Sequence, residues 1–66
     1  MINTNKLKGI IAERGYSQSE VAKMIGITPK TFYEKMKAGI FISDEIDIMI
    51  NQLKIEDPIN IFFAKE

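Results

Sequence analysis

Residues 17–32 read Ser17-Gln-Ser-Glu-Val-Ala-Lys-Met-Ile-Gly-Ile-Thr-Pro-Lys-Thr-Phe32, and the fold turns on how this stretch is read. Ser17 and Glu20 have the spacing of a capping box, so a helix starts there and runs to about Ile25. Val21, Ala22 and Ile25 form its inner face, and Gly26 ends it, because glycine accepts the left-handed conformation that a Cβ resists. Thr28 then precedes Pro29. Proline suits the first position of a helix, where its missing N–H is not needed, and it holds the residue before it extended, as an N-cap requires. The next helix therefore starts at Pro29 and runs to about Lys37, with Phe32 and Met36 as its inward pair and Gly39 past its end. Two helices joined by a three-residue turn around a glycine have the form of a helix-turn-helix unit. Ala22 is small where the two helices cross, Ile27 plugs the corner, and Phe32 anchors the second helix of the pair from below.

Outward from this core the same spacing rules give three more helices. Asn3, Thr4 and Asn5 offer N-caps for a first helix whose stripe is Leu7, Ile10, Ile11 and Arg14, closed by Gly15. Ser43 is the expected cap of a fourth, with Asp44, Glu45 and Asp47 at its positive end and Ile46, Met49, Ile50 and Leu53 on its apolar face. Asp57-Pro58 repeats the cap-proline signal and opens a short fifth helix carrying Ile59, Phe62 and Phe63. The isoleucines recur every three or four residues rather than every two, which favours helix; a strand around 39–42 is the one alternative. The expected fold is all-α, a compact bundle of about five short helices forming a single domain over residues 1–66.

Composition limits the function. The 66 residues contain no cysteine and no histidine, so neither a disulfide nor a structural zinc site is expected. No cofactor is expected either. No Gly-rich phosphate loop is present, and Asp44, Glu45 and Asp47 serve helix capping, so the inventory points away from an enzyme. No apolar run reaches membrane-spanning length, and the N-terminus lacks the long apolar stretch and small-residue cleavage site of a signal peptide. A cytoplasmic protein with no membrane contact is the expectation.

The net charge is zero, yet the charges are unevenly spread. Residues 1–40 carry seven cations against three carboxylates, a surplus of four; residues 41–66 carry two against six, a deficit of four. A basic half can face phosphates while an acidic half faces away.

At 100° per residue, with Phe32 and Met36 inward, Lys30, Glu34 and Lys37 point outward from the third helix, flanked by Thr31 and Tyr33. These side chains could reach base edges in a major groove. Gln18 and Ser19 sit at the positive end of the second helix, where a phosphate would bind. With Thr28 they complete the expected DNA-contacting set. Each also has a plainer reading: Lys30 and Lys37 as solvated lysines, Glu34 as their partner at helical spacing, Tyr33 as a side chain packed at the domain edge. A helical bundle that never touches DNA can contain the same two helices and glycine.

The stretch from Gln18 to Phe32 resembles the lambda-repressor-like and Cro-like helix-turn-helix family, through Gln18, Glu20, Val21, Ala22, Gly26, Ile27, Thr28 and Phe32. The flanks fit too: Leu7-Lys-Gly-Ile-Ile-Ala-Glu-Arg-Gly15 before it and Ile61-Phe-Phe-Ala64 after it. The resemblance covers roughly residues 5–63. It implies a small phage-type transcriptional regulator that reads double-stranded DNA with its third helix and acts as a homodimer. A module of the same fold that binds a partner repressor is the alternative. Three positions depart from the family pattern. Pro29 stands where many relatives place a base-reading Gln, Lys35 where a large apolar residue is usual, and Gly39 one residue later than the usual glycine. For the dimer, the sequence reading turns Ile59, Phe62 and Phe63 inward and leaves Ile61 outside. Ile59, Phe62 and Phe63 are nevertheless more large apolar groups than so small a core needs, so one or two of them face a partner together with Ile61, and Ile61, Phe62 and Phe63 are the expected interface.

Overall fold

A computed structural model describes residues 2–63. Five helices follow one another: α1 (Thr4–Glu13), α2 (Gln18–Ile25), α3 (Pro29–Ala38), α4 (Ser43–Gln52) and α5 (Pro58–Phe62). No strand occurs among the described residues. The fold is the all-α bundle that the spacing predicted, with α2 packed against α3 and α4, and α1 against α2 and α5.

The local signals act as the chemistry requires. Asn3 caps α1 by accepting the Lys6 N–H at 3.1 Å. At α2 both halves of the capping box form: the Ser17 hydroxyl accepts the Glu20 N–H at 3.1 Å, and the Glu20 carboxylate accepts the Ser17 N–H at 2.8 Å. Gly26 and Gly39 end α2 and α3 at φ of 81° and 72°, the region a side chain disfavours.

Two caps differ from expectation. Ile42, not Ser43, is the N-cap of α4. Ile42 is extended, and the Glu45 carboxylate reaches back to accept the Ile42 N–H at 3.0 Å, so no hydroxyl is needed and Ser43 becomes the first helical residue. At α5 the Asp57 side chain makes no cap hydrogen bond; it accepts instead from the Asn60 amide at 2.6 Å.

The core gathers Leu7 and Ile11 from α1, Val21, Ala22 and Ile25 from α2, Phe32 and Met36 from α3, and Met49 and Leu53 from the α4 end. Phe41, Ile55, Ile61 and Phe62 close it from below, and Ile2 joins them from the N-terminal segment. Arg14, placed by spacing on the apolar stripe of α1, does something else. Its guanidinium donates to the carbonyls of Leu53 at 2.8 Å and Lys54 at 3.1 Å, closing the C-terminus of α4. Lys54 itself takes a left-handed φ of 50°, which stops that helix without a glycine.

The rotation of α5 corrects the sequence reading. Ile61 and Phe62 are buried, at 4% and 3% exposure, whereas Ile59 and Phe63 are exposed at 68% and 63%. The Asn3 N–H donates to the Ile61 carbonyl at 2.7 Å, so the N-terminal segment pins this turn against the core. A five-residue helix has too few apolar positions for periodicity to set its rotation; the tertiary contact sets it. Ile61 and Phe62 therefore cannot form a dimer surface without unfolding the C-terminal turn, and only Phe63 of the expected set is available. Ala64, the last residue of the quoted C-terminal run, lies outside the described residues.

Candidate nucleic-acid interface

With Phe32 fully buried and Met36 nearly so, the opposite face of α3 stands in solvent. Lys30, Tyr33, Glu34 and Lys37 are all exposed there. Lys30 and Lys37 enter no ion pair among the described residues, where the pairs are Arg14 with Glu13 and Lys35 with Glu45. Glu34 likewise pairs with neither lysine, contrary to its plainer reading.

Thr28 and Thr31 work as a unit at the start of α3. The Thr28 hydroxyl oxygen accepts the Thr31 N–H at 3.2 Å and its proton goes to the Thr31 hydroxyl oxygen at 3.0 Å. Thr28 is thus committed to capping, and the free hydroxyl proton at this corner belongs to Thr31. Pro29 follows as the first helical residue and offers no amide side chain there.

The start of α2 meets the same face. Ser19 Oγ and Tyr33 Oη share a hydrogen bond of 3.4 Å, which ties the two helices together at the surface. Ser17 takes the Glu20 N–H, so the backbone N–H groups of Gln18 and Ser19 have no intrahelical carbonyl and point out of the helix end. Of the eight expected contact residues, Lys30, Tyr33, Glu34 and Lys37 are exposed on α3 with Thr31 half-buried beside them, and Ser19, bonded to Tyr33, brings the start of α2 with Gln18 up to this face. The eighth, Thr28, caps α3.

A shallow cleft extends it beyond the two helices. Thr4 and Lys8 of α1 line this cleft together with Gln18, Tyr33, Met36 and Lys37. Sequence reading missed the α1 residues. Thr4 and Lys8 are four apart and so share a helix face, but only the crossing of α1 over α2 turns that face toward α3.

Lys35 sits on the other side of α3, where an apolar residue is usual. Its ammonium bonds both carboxylate oxygens of Glu45 at 2.8 Å. The Glu45 side chain is 6% exposed and the Lys35 side chain 27%. The pair bridges α3 to α4, and it removes Lys35 from the cations available to a ligand.

A bundle whose second and third helices meet at a glycine turn, with the third presenting a polar, cationic face, has the form of a helix-turn-helix domain. The sequence model of the bacterial regulatory proteins of the Fis family matches residues 5–39, which takes in α1 from its second residue, α2, α3 and the glycine that ends α3. The chain belongs to that family and is a DNA-binding regulator. Comparison with curated proteins gave no significant match. Comparison with solved structures gave none either. No helix among the described residues is long and apolar enough to cross a membrane.

Proposed function

We propose that this protein is a sequence-specific regulator of the Cro or repressor type, of phage or prophage origin, that works in the cytoplasm by placing α3 in the major groove of double-stranded DNA. It acts by binding and not as an enzyme. The observation that carries the reading is the exposed face of α3, on which Lys30, Glu34 and Lys37 form no ion pair among the described residues and Tyr33 stands beside them. Lys30 and Lys37 are suited to guanine edges or phosphates and Glu34 to the amino group of cytosine. Selection of bound sites from random duplex DNA supplies the operator. Lys30→Ala should then weaken operator binding by roughly 1–3 kcal/mol if Lys30 reads a guanine, and weaken all duplexes alike if it touches only phosphate. Unchanged affinity on both operator and scrambled DNA removes Lys30 from the interface.

Two copies on a two-fold site would set their recognition helices about 34 Å apart, one turn of the duplex. Because Ile61 is buried, a dimer of this kind would have to use the exposed apolar groups of the C-terminal turn, Ile59 and Phe63. Phe63→Asp should lower the sedimentation coefficient of a dimer at micromolar concentration and keep its helix content. Ile61→Asp should instead unfold the chain, because it puts an unpaired charge in the core. Sedimentation of the wild type as a monomer, with operator bound by one copy, ends the dimer reading.

A second reading has its own support. A domain of zero net charge with Ile40, Ile42, Ile59 and Phe63 exposed is also suited to binding a partner repressor. Salt separates the two, since phosphate contacts weaken steeply with ionic strength and apolar contacts do not.

A further inference from the structure

The cleft between the start of α1 and the outer face of α3 differs electrically from its neighbours. Two lysines line it, Lys8 from α1 and Lys37 from α3, with Thr4, Gln18 and Tyr33 as hydrogen-bonding groups and no carboxylate. Three other surface depressions each include an acid: Glu20 beside Ser19 and Lys23, Glu20 again beside Met24, and Glu13 with Asp57 between α1 and α5. Lys8 and Lys37 are exposed and neither joins an ion pair among the described residues. Two like charges facing one depression with nothing to neutralise them repel each other, and an anion placed between them relieves that repulsion. The donors around them are of several kinds: ammonium from Lys8 and Lys37, hydroxyl from Thr4 and Tyr33, amide from Gln18. That set fits the oxygens of a phosphodiester.

We propose that this cleft seats the sugar–phosphate backbone of the DNA strand beside the groove that α3 enters, and that Lys8 and Thr4 make α1 a third DNA-contacting element. The inference rests on the DNA-binding reading above and adds to it. The cleft adjoins the exposed face of α3 through Tyr33 and Lys37, so a strand lying over it runs along the edge of the groove rather than across an unrelated surface. A contact from α1 also fixes the tilt of α3, because α1 and α3 would then hold the same strand at two points. The contact is to phosphate, so it carries affinity and register but no sequence preference.

Lys6 provides the internal control. It has the same charge as Lys8 and lies on the same helix, but two residues away it faces the depression that contains Glu13 and Asp57. The experiment titrates wild type, Lys8→Gln and Lys6→Gln with duplex DNA from low to moderate salt and reads the slope of log affinity against log salt. Both positions are exposed, and circular dichroism confirms that the variants fold. Lys8→Gln should reduce the slope by about one, equally on operator and random duplex, while Lys6→Gln leaves it near wild type. Equal slopes for all three proteins, or equal reductions in both variants, overturn the proposal, the latter because overall charge alone would then explain the effect. Competition by inorganic phosphate at millimolar concentration without any effect of duplex length would assign the cleft to a free anion and overturn it too. Absence of duplex binding by the wild type is a different result, which overturns the DNA-binding reading itself.

Discussion

Phe32→Ala is expected to leave the protein largely unfolded. Phe32 has no exposed surface, and its ring lies 5.4 Å from that of Phe41 and 6.4 Å from that of Tyr33. It fixes α3 to the bundle and joins it to the segment that leads into α4. Truncating a buried phenylalanine costs about 3–5 kcal/mol, because the transfer energy is lost and a cavity remains. A single-core domain below 70–80 residues, with no disulfide to support it, holds only about 3–5 kcal/mol in total. The two quantities cancel, so the helical circular dichroism signal of the variant should be mostly gone at 25 °C. A cooperative melt close to wild type would show that the α3 anchor is elsewhere.

The Lys35–Glu45 pair is expected to give an asymmetric result. Lys35→Ala leaves the Glu45 carboxylate buried with only the Ile42 N–H as partner, and should cost about 2–4 kcal/mol, somewhat below the loss for a fully buried pair because Lys35 is partly solvated. Glu45→Ala should cost less at its cationic partner, since Lys35 can swing into water, but it also loses the α4 cap. Replacing both by leucine removes the desolvation of two charges and should come out near neutral or more stable than wild type. Denaturant melts of the three variants give the order directly. A Lys35→Ala variant as stable as wild type would mean that the pair contributes nothing and that water reaches Glu45.

How much of this was readable beforehand depended on the range of the interaction. The Ser17–Glu20 box, the Thr28-Pro29 start and the glycines at 26 and 39 are local chemistry, and their positions follow from a few adjacent residues. The outward face of α3 followed as well, because ten helical residues with Phe32 and Met36 inward leave little freedom of rotation. Contacts between distant segments did not follow. Arg14 closes α4 from 39 residues away, and no spacing rule pairs it with Leu53. Glu45 reads as one acid among several at a helix start, yet it is the one that turns inward to Lys35. Ile61 departs from the spacing rule for the same reason, since a hydrogen bond from Asn3 decides the rotation of a helix too short to decide it alone. In the proposed interface, Gln18, Tyr33 and Lys37 follow from their own helices, whereas Lys8 and Thr4 need the crossing of α1.

The claim that the α2–α3 surface binds DNA is tested most directly by following backbone amide resonances of the labelled protein as duplex is added. Shifts or broadening are expected at Gln18, Ser19, Lys30, Thr31, Tyr33, Glu34 and Lys37, with the acidic surface of α4 around Asp44 and Asp47 unaffected. Perturbation confined to Ile59 and Phe63, or none anywhere at concentrations where duplex is in excess, would contradict it.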